Sequence, residues 1–256
     1  MMWLIFEYEF AGDRRLFYKG AFVVRDSGER RRSYFWPGLF WTLVLTLFLI
    51  SFAVVFVLYM KPFYYIDIKA MKLNRATGLG ADVIRRNYDA MVDYMHFWNH
   101  QPLVLPDFVM SEHGRIHFAD CKVIFDAVQY ICIVTGILTI VSIIVHHHSL
   151  HYRYLRAAGM LTRVLPVGLG VLSYLNWDKV FITFHKIFFR NNYWIFDPNT
   201  DPVIRILPDV FFLQCVVIIA SVLIIGTIIL FIRAARKKRR LRDRVTRSRA
   251  RGRRRQ

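Results

Sequence analysis

Four apolar stretches, at residues 39–59, 124–145, 157–175 and 211–232, alternate with charged connections along this chain. The first and the last contain no charged residue, the second contains only Asp126 near its start, and the third contains Arg163. A helix of about 20 residues, rising ~1.5 Å per residue, crosses the ~30 Å hydrocarbon core of a bilayer. The pattern therefore predicts a mainly α, polytopic membrane protein with four transmembrane helices.

The charges between these stretches predict the side of the membrane on which each connection lies. An arginine triplet at 30–32 precedes the first span, and residues 146–163 carry three arginines and no acid. Residues 61–123 hold eight basic and seven acidic residues, and residues 176–209 hold four of each. Because positively charged connections tend to stay in the cytoplasm, we expect both termini inside and the two nearly neutral loops outside.

The two outer loops are too long to be simple linkers. Apolar residues recur at helical spacing over residues 81–98, which predicts an amphipathic helix resting on the bilayer or on the helix bundle. The alternation of residue types over 64–69 predicts a short strand. We expect loops 61–123 and 176–209 to build a small extracytoplasmic cap.

The formal net charge of +18 is concentrated at the C-terminus. Residues 233–256 contain fourteen Arg or Lys and one acid, Asp243, and so contribute +13. This run follows the fourth span directly and contains no aromatic residue, which favours contact with membrane lipid over nucleic acid. The predicted organisation is a cytoplasmic N-terminal segment (1–34), a membrane domain with its outer cap (35–232) and a disordered basic cytoplasmic tail (233–256).

One candidate catalytic group, His117, lies seven residues before the second apolar stretch, and Asp120 follows it at helical spacing. If the helix extends outward this far, the carboxylate shares a face with the imidazole, fixes its tautomer and raises its basicity, as a general base requires. Taken alone, the spacing is better explained by an interfacial histidine beside an acid.

A second candidate, His185, lies in an aromatic stretch that includes Phe181, Phe184, Phe188 and Phe189. In an amphipathic helix at the outer surface, these rings would half-bury the imidazole and lower its pKa, which keeps it neutral. An aromatic belt at the membrane interface explains the stretch slightly better on local evidence. The two histidines together carry more weight, because the topology brings both to the same membrane face.

The sequence implies no metal or cofactor. Four histidines have chelating spacing, but they lie on the predicted cytoplasmic side without a cysteine or acid to complete a site, so a solvated helix end explains them better. They are His146, His147, His148 and His151. The three cysteines contain no CxxC pair, and the chain lacks the serine-nucleophile, phosphate-binding and dinucleotide-binding motifs.

Two groups of residues resemble the signatures of one known family. The first group is Tyr88, Asp89, Tyr94, Leu105, Pro106, Ser111, Gly114, His117, Phe118, Asp120 and Lys122. The second is Phe184, His185, Phe189, Trp194, Phe196, Asp197, Pro198, Asp201, Pro202, Leu207, Pro208, Phe211 and Phe212. Together with four spans they resemble the lipoprotein intramolecular transacylases (Lit) of Gram-positive bacteria, over about residues 35–232. Cys121 departs from the pattern, where an aliphatic residue is expected.

The resemblance implies an acyl transfer at the outer leaflet of the plasma membrane. The family moves an acyl chain from the diacylglyceryl group on a lipoprotein's N-terminal cysteine to the α-amine of that cysteine, which gives a lyso-form lipoprotein. It implies His117 and His185 as catalytic residues. We expect one of them to act as general base, with Asp120 orienting His117.

Four further residues are candidates for holding the substrate: Lys122, Trp194, Asp197 and Tyr88. The expected partners are the diacylglyceryl-modified lipoprotein and membrane lipid, without nucleic acid. An alternative of a different class is a non-catalytic membrane scaffold or sensor that binds a partner through the outer cap.

Overall fold

The computed structural model describes residues 35–145 and 152–253. The predicted N-terminal segment and the histidines at 146–151 lie outside these residues. The described chain forms nine α-helices and one short 3₁₀ helix (Pro202–Ile206). The helices are α1 (Phe35–Tyr59), α2 (Lys61–Ala70), α3 (Leu73–Thr77), α4 (Ala81–Tyr94), α5 (Glu112–Val145), α6 (Arg153–Thr162), α7 (Val164–Leu175), α8 (Trp177–Phe188) and α9 (Asp209–Arg253).

Four helical segments are long and apolar enough to cross a membrane, as the sequence predicts. They cover Gly38–Tyr59, Glu112–Val145, Arg153–Leu175 and Asp209–Arg253. Only 22–33% of the most apolar window in each is buried within the protein. Apolar faces of this extent are incompatible with water but suit lipid contact.

The third span is made of two helices rather than one. Helix α6 ends at Thr162 and α7 begins at Val164. Pro166 has no N–H to donate to the carbonyl of Thr162, and its ring crowds that carbonyl. The break therefore lies at Arg163, three residues before the proline.

Small residues let the spans approach each other closely. Phe48 and Leu49 of α1 pack against Gly136 of α5 and Gly226 of α9. Some hydroxyls in the spans bond to carbonyls of the preceding turn, as in Thr46 Oγ1 to Thr42 O at 2.9 Å. Four other hydroxyls in the spans are buried without a hydrogen-bond partner among the described residues, those of Thr139, Thr162, Ser173 and Thr227.

The outer cap has a hydrophobic core of its own. Buried residues from α2, α4, the start of α5 and the 3₁₀ helix form it, including Tyr64, Ile84, Phe118 and Ile206. Tyr64 stacks on Tyr88 with ring centroids 3.7 Å apart, and its hydroxyl donates to the carbonyl of Ile206. The apolar stripe of α4 therefore packs on the cap rather than on the bilayer.

Two predicted elements of the cap differ in the structure. Residues 64–69 are helical, within α2, so the predicted strand is wrong. Pro62 in the first turn suits a helix start. Tyr64 and Ile68 are buried while Ile66 between them is exposed, which fits helical spacing rather than a strand's alternation. Helix α4 is confirmed but ends at Tyr94, four residues earlier than predicted.

The basic tail also differs from the prediction, because α9 continues without a break from the fourth span to Arg253. Residues 233–253 are therefore helical rather than disordered. Arginine, lysine and leucine are good helix formers, and a helix already nucleated in the membrane adds residues at little cost. Beyond Lys237 these side chains are exposed on every side of the helix.

Candidate active site

His117 lies in the second turn of α5, which begins twelve residues before the apolar stretch that predicted it. Ser111 precedes this helix, and its Oγ accepts a hydrogen bond from the Gly114 amide at 3.0 Å. A serine at this position caps the first turn of a helix. This serine N-cap thus makes His117 part of a rigid helix rather than of a loop.

His185 lies one turn from the end of α8. The side chain of Asn176 accepts a hydrogen bond from the Lys179 amide at 2.8 Å and caps the start of this helix. Phe184, Ile187 and Phe188 are exposed, whereas His185 is half-buried. Burial lowers the pKa of His185 below its usual 6.5. The expected half-burial of this imidazole is confirmed, and its pKa is shifted in the direction that favours the neutral form.

The two histidines come together in the structure. Their ring centroids are 6.0 Å apart, and His117 is only 7% exposed. Phe189 contacts both imidazoles, at 4.7 Å from His117 and 5.6 Å from His185. Trp194 stacks on His185 at 4.7 Å, and Phe196 lies 5.5 Å from His117. Two positive charges this close in apolar surroundings repel each other, which disfavours a state in which both rings are charged.

The two imidazoles have different hydrogen-bond partners. His185 Nδ1 lies 2.8 Å from the carbonyl oxygen of Phe181, so it carries the proton and donates. The lone pair of the neutral ring is then on Nε2. His117 Nε2 contacts Sγ of Cys121 at 3.5 Å, while its Nδ1 is buried without a partner in the part of the chain that the structure describes.

The predicted hydrogen bond between Asp120 and His117 does not occur within the described residues. Oδ2 of Asp120 instead accepts a hydrogen bond from Nδ2 of Asn191 at 3.1 Å. This contact ties α5 to the segment that follows α8. Asp120 therefore holds the two histidine-bearing elements together, and Asn191 is a site residue that the sequence analysis missed.

A second contact joins the same two elements at the start of α5. The buried side chain of Asp201 accepts from the Ser111 amide at 2.8 Å. A Cβ on Gly114 would fall 3.1 Å from Cγ of Asp201 and closer still to Oδ1. Asp201 thus clamps the segment after α8 to the start of α5, in addition to the turn that an Asp-Pro pair favours. Ser111 directly before Glu112 is a helix-cap signal that would have placed the start of α5 correctly.

The remaining predicted substrate-binding residues are scattered. Lys122 turns toward Asp126, at 3.1 Å, and toward the carbonyl of His96, at 3.0 Å. Tyr88 is buried in the cap core. Asp197 is exposed and accepts from the Asn199 amide at 2.9 Å in a turn. Of this group only Trp194 contacts the histidine pair. Among the described residues there is no group of three or more metal-ligating side chains.

A family model described as lipoprotein intramolecular transacylase Lit matches residues 39–212. The chain belongs to this family. The membrane-integral transacylase Lit from Bacillus cereus has a solved structure that is 29% identical, with a TM-score of 0.78, covering 84% of this chain and 99% of that one. No curated protein sequence matches significantly.

Two variant structures of the Bacillus cereus Lit also match. One carries a histidine-to-arginine mutation (30% identity, TM-score 0.71, 84% of this chain, 98% of that one). The other carries a histidine-to-alanine mutation (29%, 0.72, 84% and 96%). Membership of the Lit family makes this chain a membrane acyltransferase, which decides against the scaffold alternative.

Proposed function

We propose that this chain moves an acyl chain from the diacylglyceryl group of a lipoprotein's N-terminal cysteine to the α-amine of that cysteine, with His185 as the general base. The bond from His185 Nδ1 to the Phe181 carbonyl carries this assignment. It leaves Nε2 as the proton acceptor, and the lowered pKa keeps that acceptor unprotonated at neutral pH.

The reaction requires one proton to move twice. Nε2 of His185 takes a proton from the α-amine as its nitrogen attacks the ester carbonyl carbon. The C–N bond forms, and the carbonyl oxygen becomes an oxyanion. When this intermediate collapses, the ester C–O bond breaks and the leaving glyceryl oxygen takes a proton from the histidine pair. The products are an amide and a free glyceryl hydroxyl, with both histidines neutral again.

His117 assists from the opposite side of the site. Its ring lies 6.0 Å from His185 and is fixed by the close contacts of Phe189 and Cys121. From this position it polarises the ester or passes the proton to the leaving oxygen. Asp120 contributes by holding Asn191, and so keeps the segment after α8 against α5. Donor and acceptor belong to one molecule, so their fixed proximity supplies much of the acceleration.

The expected setting is the outer leaflet of a bacterial plasma membrane. The nearly neutral loops on one side and the basic connections on the other support this orientation. The exposed rings of Phe184 and Phe188 on α8 support contact of the site with the lipid interface. The basic part of α9 then lies in the cytoplasm, where its first turns reach anionic headgroups.

The test is mass spectrometry of lipoprotein N-terminal peptides from a host that lacks the activity and expresses this chain. We expect peptides with an acylated α-amine and a monoacylglyceryl thioether. His185→Ala and His117→Ala should each abolish this product while the protein stays in the membrane. His100→Ala, which changes an exposed histidine of the cap, is the matched control. Product formed by both single variants at the wild-type level would contradict the assignment.

A further inference from the structure

Trp194 presents a buried hydrogen-bond donor that has no acceptor within the described protein. Its Nε1 is buried and makes no hydrogen bond to any described residue. A buried donor without a partner is costly and uncommon. The ring stacks on His185, with centroids 4.7 Å apart and planes 29° apart. The indole ring that carries the unpaired N–H therefore lies against the proposed base.

The aromatic neighbours of His185 divide into rings with and without a donor. Phe181, Phe184 and Phe189 contact the imidazole and offer only carbon and hydrogen. An indole N–H donates but cannot accept, and it does not ionise in the working pH range. A phenylalanine in place of Trp194 would also pack against His185, without the cost of burying an unpaired N–H.

The segment that carries Trp194 is fixed at several points. On one side Asn191 donates to Asp120 at 3.1 Å, and Tyr193 stacks on His113 with centroids 4.1 Å apart. On the other side Asp201 holds the start of α5. A donor held in this way needs no reorganisation when charge develops beside it, which is the property that makes an oxyanion hole effective.

We propose that the Nε1–H of Trp194 is a catalytic hydrogen-bond donor for the oxyanion that forms from the substrate's ester carbonyl. This inference rests on the proposed function and goes beyond its two histidines. Trp194 keeps its proton throughout: it donates a hydrogen bond to the carbonyl oxygen, the bond strengthens when amine attack makes that oxygen negative, and it weakens when the C–O bond to glycerol breaks. The proton taken from the amine moves only through the histidines.

The experiment compares variants that remove the N–H with one that removes a similar N–H elsewhere. Trp194→Phe retains an aromatic ring against His185 but has no donor. Replacement of Trp194 by benzothienylalanine, incorporated by nonsense suppression, retains the two-ring shape as well. Trp177→Phe is the matched control, because Nε1 of Trp177 is also buried and unpaired but lies at the other end of α8. Single-turnover rates and KM are measured in detergent on a synthetic diacylglyceryl lipopeptide.

Both changes at Trp194 should lower the maximal rate by about 100- to 1,000-fold, the usual effect of losing one oxyanion donor, with little change in KM. Trp177→Phe should react like the wild type. A benzothienylalanine variant with wild-type rate would overturn the inference, since shape alone would then suffice. Wild-type enzyme and His185→Ala are assayed in parallel. A wild type that forms no lyso-form product would refute the proposed function instead, and the two failures are therefore distinguishable.

Discussion

At the scale of single residues, the two histidines are distinguished by what their ring nitrogens contact. His185 donates from Nδ1 to a backbone carbonyl of its own helix, which exposes the lone pair on Nε2 to the site. His117 has a thiol at Nε2 and nothing at Nδ1 among the described residues. Each ring is one turn from its partner residue, yet neither contact follows from residue type. From the sequence alone, the two histidines could not be given different catalytic roles.

The lowered pKa of His185 has a consequence for the pH dependence of catalysis. A base works only when unprotonated, so activity is lost as pH falls through its pKa, and burial moves this loss below pH 6.5. Phe189→Ala would admit water beside the imidazole and raise its pKa. We therefore expect the acid limb of the rate profile to shift to higher pH in that variant. Rates are measured at saturating lipopeptide from acid to neutral pH.

The substrate amine titrates in both enzymes, so the difference between the two profiles reports the group on the protein. If activity is lost at the same acidic pH in wild type and in Phe189→Ala, burial of His185 does not determine the pH of that loss. Trp177→Phe, which changes a ring that contacts neither histidine, should leave the profile unchanged.

At the scale of elements, the site depends on a clamp between the start of α5 and the segment after α8. Asp201 accepts from the Ser111 amide, Gly114 provides the space for the carboxylate, and Asp120 holds Asn191 about two turns further along α5. These residues come from two connections that are ninety positions apart in the chain. The clamp explains how two loops of ordinary composition hold two imidazoles at a fixed separation.

Asp201→Ala removes the acceptor for a partly buried backbone amide, at a cost of about 1–3 kcal/mol. It also removes a negative charge from the start of a helix. We expect a lower melting temperature in detergent and reduced transacylation, and Gly114→Ala should act in the same direction by displacing the carboxylate. Asp178→Ala is the control, since it removes an exposed carboxylate from the first turn of α8. Equal melting temperatures for Asp201→Ala and Asp178→Ala would show that the clamp contributes no stability.

Element type was harder to predict in the cap than in the spans. Residues 64–69 looked alternating because tyrosine and isoleucine are common in strands, but the same residues bury a helical face once the cap closes on Tyr64 and Ile68. The start of α5 was placed too late, because the apolar run that predicted the helix begins only after its polar first turns. Those polar turns contain His117. The late prediction of the helix start therefore left this site residue outside the predicted helix.

At the scale of the whole molecule, the four spans and the distribution of charge predict which connections lie on each side of the membrane. The excess of basic residues at both ends of the membrane domain supports the proposed arrangement, with both termini in the cytoplasm. The helical continuation of α9 carries positive side chains all round its axis well past the apolar segment. This arrangement gives the protein one neutral end, where the histidines lie, and one strongly basic end.

The orientation can be measured with single cysteines in a background whose three native cysteines are replaced by alanine. Asn199→Cys lies in the exposed turn after Asp197, and Ser248→Cys lies in the basic part of α9. A membrane-impermeant maleimide should label Asn199→Cys on intact cells, and Ser248→Cys only after lysis. Labelling in the opposite order would place the histidines on the cytoplasmic side and would contradict the proposed setting.

The sequence by itself determined the membrane class and the number of spans, and its resemblance to the Lit family predicted two catalytic histidines. Long apolar runs are readable because a bilayer imposes a length and excludes charge, and these constraints act on each segment separately. The tertiary structure alone decided that the two loops meet, that Asp120 bonds to Asn191 rather than to His117, and that Trp194 stacks on His185. Contacts of this kind join residues far apart in the chain, and they depend on how the cap packs rather than on any local pattern.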